Sequence, residues 1–227
     1  MKFPNASQGV KKLFTSEILN IIAGFLLFIG AIGAAIAAAI AAAGAMSAAN
    51  QDSLTGGQTA ALLGGGAITA VFMFGGLVIS IIAYIMMIVG LNNARKDDSN
   101  FNTAFIFVFV SLILSVISSF IPGVFGQLLS SISQLATMFI TVYIILGIRS
   151  LAIQLGNRQV ENKGKTILYI IAVVYILAFI AKLVSTFTTA SAAVVSGVLA
   201  VIVIVLDIIA YIIFLTYLAQ AKKMLAQ

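Results

Sequence analysis

The chain has no cysteine and no histidine. Disulfides, thiolate nucleophiles, His-ligated zinc or haem and any Ser-His-Asp relay are therefore excluded. Charge is scarce as well: 8% of its 227 residues are Asp, Glu, Lys or Arg, where a soluble domain typically carries about a quarter. Asp97-Asp98 is the one acidic pair, in a stretch that also holds Arg95 and Lys96; it reads as a solvated turn, not a divalent-metal site. No G-x-x-x-x-G-K-[ST] phosphate loop occurs, and no membrane-enzyme signature is present. The expectation is a non-enzyme with no metal and no cofactor.

What is abundant is apolar surface, at 62% of residues. A helix rising 1.5 Å per residue needs roughly 20 residues to cross about 30 Å of hydrocarbon. Six runs meet that requirement, at about 18–46, 61–91, 103–121, 125–148, 166–187 and 192–219. The first is about 29 residues long, against about 7–15 for the apolar core of a signal peptide, and reads as a retained helix. Before it, Val10, Leu13 and Phe14 on one side and Lys11, Lys12 and Ser16 on the other suit a short interfacial helix over residues 8–17.

The formal charge of +6 would raise the question of nucleic acid in a soluble protein. Here position answers it. Lys2, Lys11 and Lys12 precede the first run; Arg95 and Lys96 follow the second; Arg149, Arg158, Lys163 and Lys165 lie between the fourth and fifth; Lys222 and Lys223 end the chain. Eleven of the twelve basic residues thus occupy every second connection, the bias that marks cytoplasmic loops. The expected fold is an all-α integral membrane protein of six transmembrane helices, arranged as three successive antiparallel hairpins with both termini cytoplasmic. It divides into a basic N-terminal segment (1–17), a transmembrane domain (18–221) and a short tail (222–227). The segment from Arg149 to Lys165 reads as the longest cytoplasmic connection, a basic surface suited to anionic headgroups. The even-numbered runs end alike, at Tyr84-Ile85-Met86-Met87, Tyr143-Ile144-Ile145-Leu146 and Tyr211-Ile212-Ile213-Phe214, and the second and sixth continue alike from Leu91 to Ala94-Arg95-Lys96 and from Leu218 to Ala221-Lys222-Lys223. Repetition of the hairpin is one reading of this. Chance matching of aliphatic runs, with Tyr at membrane interfaces, is the other.

Four features are candidates for function. The first helix is nearly all small side chains from Ala31 to Ala49. A face including Gly30, Gly33, Ala34, Ala37, Ala41 and Gly44 lets another helix approach closely, either the second helix of the chain or a partner. On the fourth helix Gln127, Ser130, Gln134, Thr137 and Thr141 share one face, and on the third Ser111, Ser115 and Ser118 do the same; these seams read as interhelical glue or as the lining of a path. Asp207 falls about 22 Å along a helix of about 41 Å, and a carboxylate at that depth needs a cation, water or a proton. Tyr211, one turn on, is placed to donate a hydrogen bond to it. Lys182 lies about 15 Å from Asp207 along the axis, too far for a lysine stem, and reads as a snorkelling residue or an outer entrance.

The chain matches no family motif. In architecture alone it resembles the substrate-binding membrane subunits of bacterial energy-coupling-factor importers, a likeness of topology only. Three functions follow as expectations: a small transport or solute-binding membrane protein, with Asp207 and the seams along the path; an accessory subunit docking a partner, or a second copy, through the first helix; and an immunity membrane protein. The expected location is a prokaryotic cytoplasmic membrane. Its surroundings are lipid and an unspecified ion or small molecule, with no nucleic acid.

Overall fold

The structure is a computed structural model and describes residues 2–48, 56–187 and 193–226. Those residues form six α-helices: α1 (Pro4–Ala48), α2 (Gly56–Ala94), α3 (Ser99–Phe120), α4 (Gly123–Gln154), α5 (Arg158–Phe187) and α6 (Ala193–Leu225). All six are long and apolar enough to cross a membrane. Their outer faces carry large apolar side chains in the open, such as Phe74 at 70% and Phe120 at 81% exposure. Water would not tolerate such a surface on a monomer, whereas lipid is its natural solvent. The protein is a polytopic membrane protein.

The chain forms two compact units, residues 15–86 and residues 1–14 with 87–227. In the smaller unit the lower part of α1 meets α2 through small residues. A side chain placed on Gly76 would strike Leu27 Cγ at 2.7 Å, and one on Gly30 would strike Met73 Cγ at 2.7 Å. Gly33 lies against Thr69, so rising numbers on α1 meet falling numbers on α2.

In the larger unit α3 packs on α4, α4 on α5, α5 on α6, and α4 also touches α6. Its fully buried large side chains gather toward the end that carries the basic residues: Leu91, Phe101, Ile148, Leu151, Tyr217 and Leu218. The matching positions Leu91 and Ala94 on α2 and Leu218 and Ala221 on α6 are all 0% exposed. The similar endings of these two helices are therefore buried alike.

The helices extend well past the apolar runs, and this corrects two expectations. No separate interfacial helix covers residues 8–17: α1 is continuous from Pro4, with Ala6, Val10 and Leu13 buried. Nor is residues 149–165 a long connection. α4 runs to Gln154 and α5 starts at Arg158, because the turn between them is closed by its own backbone. Gly156 takes a positive φ of 69° and donates to Ile153 O, while Asn157 N donates to Ala152 O, the pairing of a glycine-terminated helix end. Asn157 Oδ1 then accepts from Val160 N at 3.1 Å, capping α5. One short turn thus ends a helix and begins the next.

The Asp97-Asp98 pair is likewise no solvated turn. Asp98 is the N-cap of α3 and accepts from Asn100 N at 2.8 Å. Asp97 reaches the first turn of α1, accepting from Ala6 N at 2.6 Å and from Asn5 Nδ2 at 3.0 Å. The start of α1 offers N–H groups with no intrahelical acceptor, and a carboxylate there also meets the positive end of the helix dipole. Lys2 Nζ meanwhile donates to Gln154 O at the end of α4, where a cation is favoured. Asp97→Ala is expected to lower stability by about 1–2 kcal/mol and to speed tryptic cleavage at Lys11-Lys12. Thermal unfolding in detergent with a timed digest measures both, and cleavage at the wild-type rate would remove Asp97 from this role.

Candidate functional site

The polar seams of α3 and α4 are largely satisfied by backbone carbonyls. Ser111 Oγ donates to Val108 O and Ser118 Oγ to Ser115 O. On α4, Thr137 Oγ1 donates to Ser133 O at 3.1 Å and Thr141 Oγ1 to Thr137 O at 3.5 Å, the latter at the limit of a real hydrogen bond. Ser130 and Gln134 are half-buried, whereas Gln127, Thr137 and Ser115 are exposed. A bond that crosses between the helices comes from a residue outside the predicted set: Ser133 Oγ donates to Ser111 O at 3.0 Å. Beside it Phe107 stacks on Phe139 and Tyr143, with centroids 5.0 and 5.8 Å apart. Such hydroxyl-to-carbonyl bonds hold a helix pair together.

Asp207 is exposed. It sits on a face of α6 flanked by exposed Ile204, Val205 and Ile208, about 21 Å from the start and about 27 Å from the end of the helix at 1.5 Å per residue. Its carboxyl makes no hydrogen bond or ion pair with another described residue. Tyr211, one turn on, is half-buried and has an interaction of its own. The side chain of Lys182 lies outside the described residues.

The small-residue face of α1 divides. Gly30 is buried against α2, Gly33 lies on Thr69, and Ala37 is half-buried. Ala34, by contrast, is exposed, as are Ala38 and Ala42. The side-chain environments of Ala41 and Gly44 lie outside the described residues.

A further group went unpredicted. At the basic end of the larger unit, Arg149 on α4, Tyr217 and Gln220 on α6 and Gly164 on α5 converge. The Tyr217 hydroxyl rests on Gly164, where a Cβ would collide with it, and Arg149 Cβ lies 3.5 Å from that same Cβ position. Tyr217 is 1% exposed, yet its hydroxyl, Arg149 Nε and Gln220 Oε1 are buried polar atoms with no hydrogen-bond partner. Buried polar groups are almost always paired, so three orphans together are unusual. Tyr217 and Gln220 also line a cleft of about 370 Å3 between α5 and α6, with Asn162, Lys163 and Thr166 on its other wall. In the sequence this group was hidden because Tyr, Gln and Lys near a helix end already suit a membrane interface.

No protein-family model, no curated protein and no solved structure matches the chain. The Asp207 face and the polar cleft are two places in the described residues where polar chemistry stands without a partner.

Proposed function

We propose that the protein is a non-catalytic subunit of a membrane complex, with Asp207 at its contact with a partner inside the bilayer. The observation that carries this is the exposure of Asp207 on an apolar face of α6. Ionisable residues at membrane depth normally face a bundle interior or a water-filled cavity and pair there. This carboxyl is exposed on its helix and pairs with no other described residue, which supports a partner from outside the chain. The occupant that fits is a transmembrane helix presenting a basic or hydrogen-bond-donating side chain at the same depth. The distribution of basic residues supports six crossings as three hairpins, with both termini in the cytoplasm; the compact chain with very short connections suits a prokaryotic membrane. The exposed small-residue row Ala34, Ala38 and Ala42 suits the same accessory role.

A photo-reactive residue at Ile208, in native membranes, is expected to give a protein adduct of defined mass. Asp207→Ala weakens that contact about five- to thirty-fold, since an interhelical hydrogen bond contributes about 1–2 kcal/mol, and Asp207→Glu keeps it. An adduct indifferent to Asp207→Ala, or adducts to lipid alone, would end the proposal. Transport through the chain makes a different demand: Asp207→Asn would abolish solute or proton flux in reconstituted vesicles.

A further inference from the structure

We infer that the cleft between α5 and α6 at the basic end is a binding site for a phosphate group, carried by an anionic phospholipid or free in solution. The site stands on its own residues and does not depend on Asp207 or on any partner in the bilayer. Its wall on α5 carries Asn162, Lys163 and Thr166, the last with its hydroxyl donated to Asn162 O; its wall on α6 carries Tyr217 and Gln220. A smaller cleft shares Gln220 and adds Lys223, Asn157 and Gln159. Among the described residues no carboxylate lines either one. The cations Lys163 and Lys223 thus flank a common residue with donors between them, the composition that phosphate oxygens require.

The second, independent sign is unpaired polar atoms at and beside the cleft. Tyr217, which lines it, is 1% exposed and its hydroxyl has no partner. Gln220 Oε1, also of the lining, is likewise buried and unpaired, as is Nε of Arg149, whose Cβ lies near Gly164 behind Tyr217. A guanidinium N–H and a phenol O–H are donors, and leaving them buried and unpaired is unfavourable by about 1–3 kcal/mol each. A phosphate bound in the cleft supplies acceptor oxygens beside Tyr217. Gln220 Oε1 is an acceptor, and an amide turned through its two-fold axis would offer its NH2 group instead.

The source of the phosphate is favoured by the rest of the wall. Beyond the polar residues the same cleft is lined by Ile167, Ile170 and Ile213, so it grades from polar to apolar along the helix axes. That gradient matches an amphiphile: headgroup at Lys163 and Gln220, acyl chain along the isoleucines. Basic pockets between transmembrane helices are known places for anionic headgroups, and the glycine at 164 brings α5 close enough to α6 to seat Tyr217 beneath it.

The test uses the full chain in detergent, with unfolding temperature read against added phosphatidylglycerol, phosphatidylcholine or inorganic phosphate. A ligand bound only by the folded state raises that temperature with concentration. Phosphatidylglycerol is expected to stabilise at lower concentration than phosphatidylcholine, and Lys163→Gln with Lys223→Gln to weaken it about tenfold or more. Both lysines are exposed, so this variant folds. Tyr217→Phe is expected to weaken the same ligand while leaving the ligand-free protein as stable or more so, because an orphan hydroxyl is lost. If inorganic phosphate stabilises with the same sensitivity to these variants and the lipid does not, the site takes free phosphate. The proposal is overturned if phosphatidylglycerol and phosphatidylcholine act alike and phosphate has no effect. It is overturned equally if a preference exists but ignores both variants, or if Tyr217→Phe only lowers ligand-free stability.

Discussion

Gly9→Ala is expected to destabilise the protein by about 2 kcal/mol or more and to release the start of α1 from its packing. Intrinsic helix propensity points the other way, since Ala is better than Gly by about 1 kcal/mol in a helix. Space decides the sign. A Cβ on Gly9 would lie 2.5 Å from Gly90 O, 2.7 Å from Ala94 Cβ and 2.8 Å from Ala94 N. Two of these three atoms are backbone, which cannot swing aside as a side chain can. The reciprocal position is also tight, a Cβ on Gly90 lying 2.9 Å from Gly9 O. The helices must separate, and overpacking of this kind typically costs about 1–3 kcal/mol. The added cost is the packing of Ala6, Val10 and Leu13, all buried beside Gly9. Gly24→Ala and Gly75→Ala are the controls: nothing lies within 4 Å of a Cβ at either, so both should be neutral or stabilising. The unfolding temperature measures the difference, and tryptic cleavage at Lys11-Lys12 should accelerate in Gly9→Ala alone, because proteolysis needs local opening. Equal behaviour of the three variants would show that the Gly9 crossing contributes nothing.

Gly147→Ala should have the next largest effect, at about 1–3 kcal/mol. A Cβ there would meet the ring of Phe101 at 2.7 Å (Cε2), 2.8 Å (Cζ) and 2.9 Å (Cδ2). Phe101 is 0% exposed and sits in the first turn of α3, just after the Asp98 cap, so the ring has no free direction in which to move. α3 must shift from α4 instead. The two sites should be coupled: Phe101→Leu alone leaves a void, but combined with Gly147→Ala it should cost less than the sum of the two, by about 1–2 kcal/mol in a double-mutant cycle. Additive effects would mean that the ring and the glycine do not constrain one another.

Much of the helical plan was legible in the sequence. Six apolar runs became six helices because length and hydropathy are local properties, readable in a window of about 20 residues. Helix ends were misjudged where polar residues continue the helix beyond the hydrocarbon. Residues 149–165 looked like a loop because they are polar, yet Gly156 and Asn157 confine the break to a single turn. Asp97 looked solvated because its partner, the first turn of α1, is 91 residues away. Spacing identifies the seam residues, but a residue that crosses to the other helix, Ser133, lies one position from the predicted face. Spacing gives the face and not the partner.

The sequence by itself determined that this is a membrane protein, how many helices it offers to the bilayer, and that its cations gather in alternate connections. Tertiary structure alone decided that Gly9 is a crossing point, that Asp207 stands exposed, and that Arg149, Tyr217 and Gln220 share a buried corner beside a basic cleft. The physical reason is that lipid and protein interior are both apolar, so the period of a transmembrane sequence carries little record of which face is covered. In water, hydrophobicity separates inside from outside; in a bilayer only close packing does.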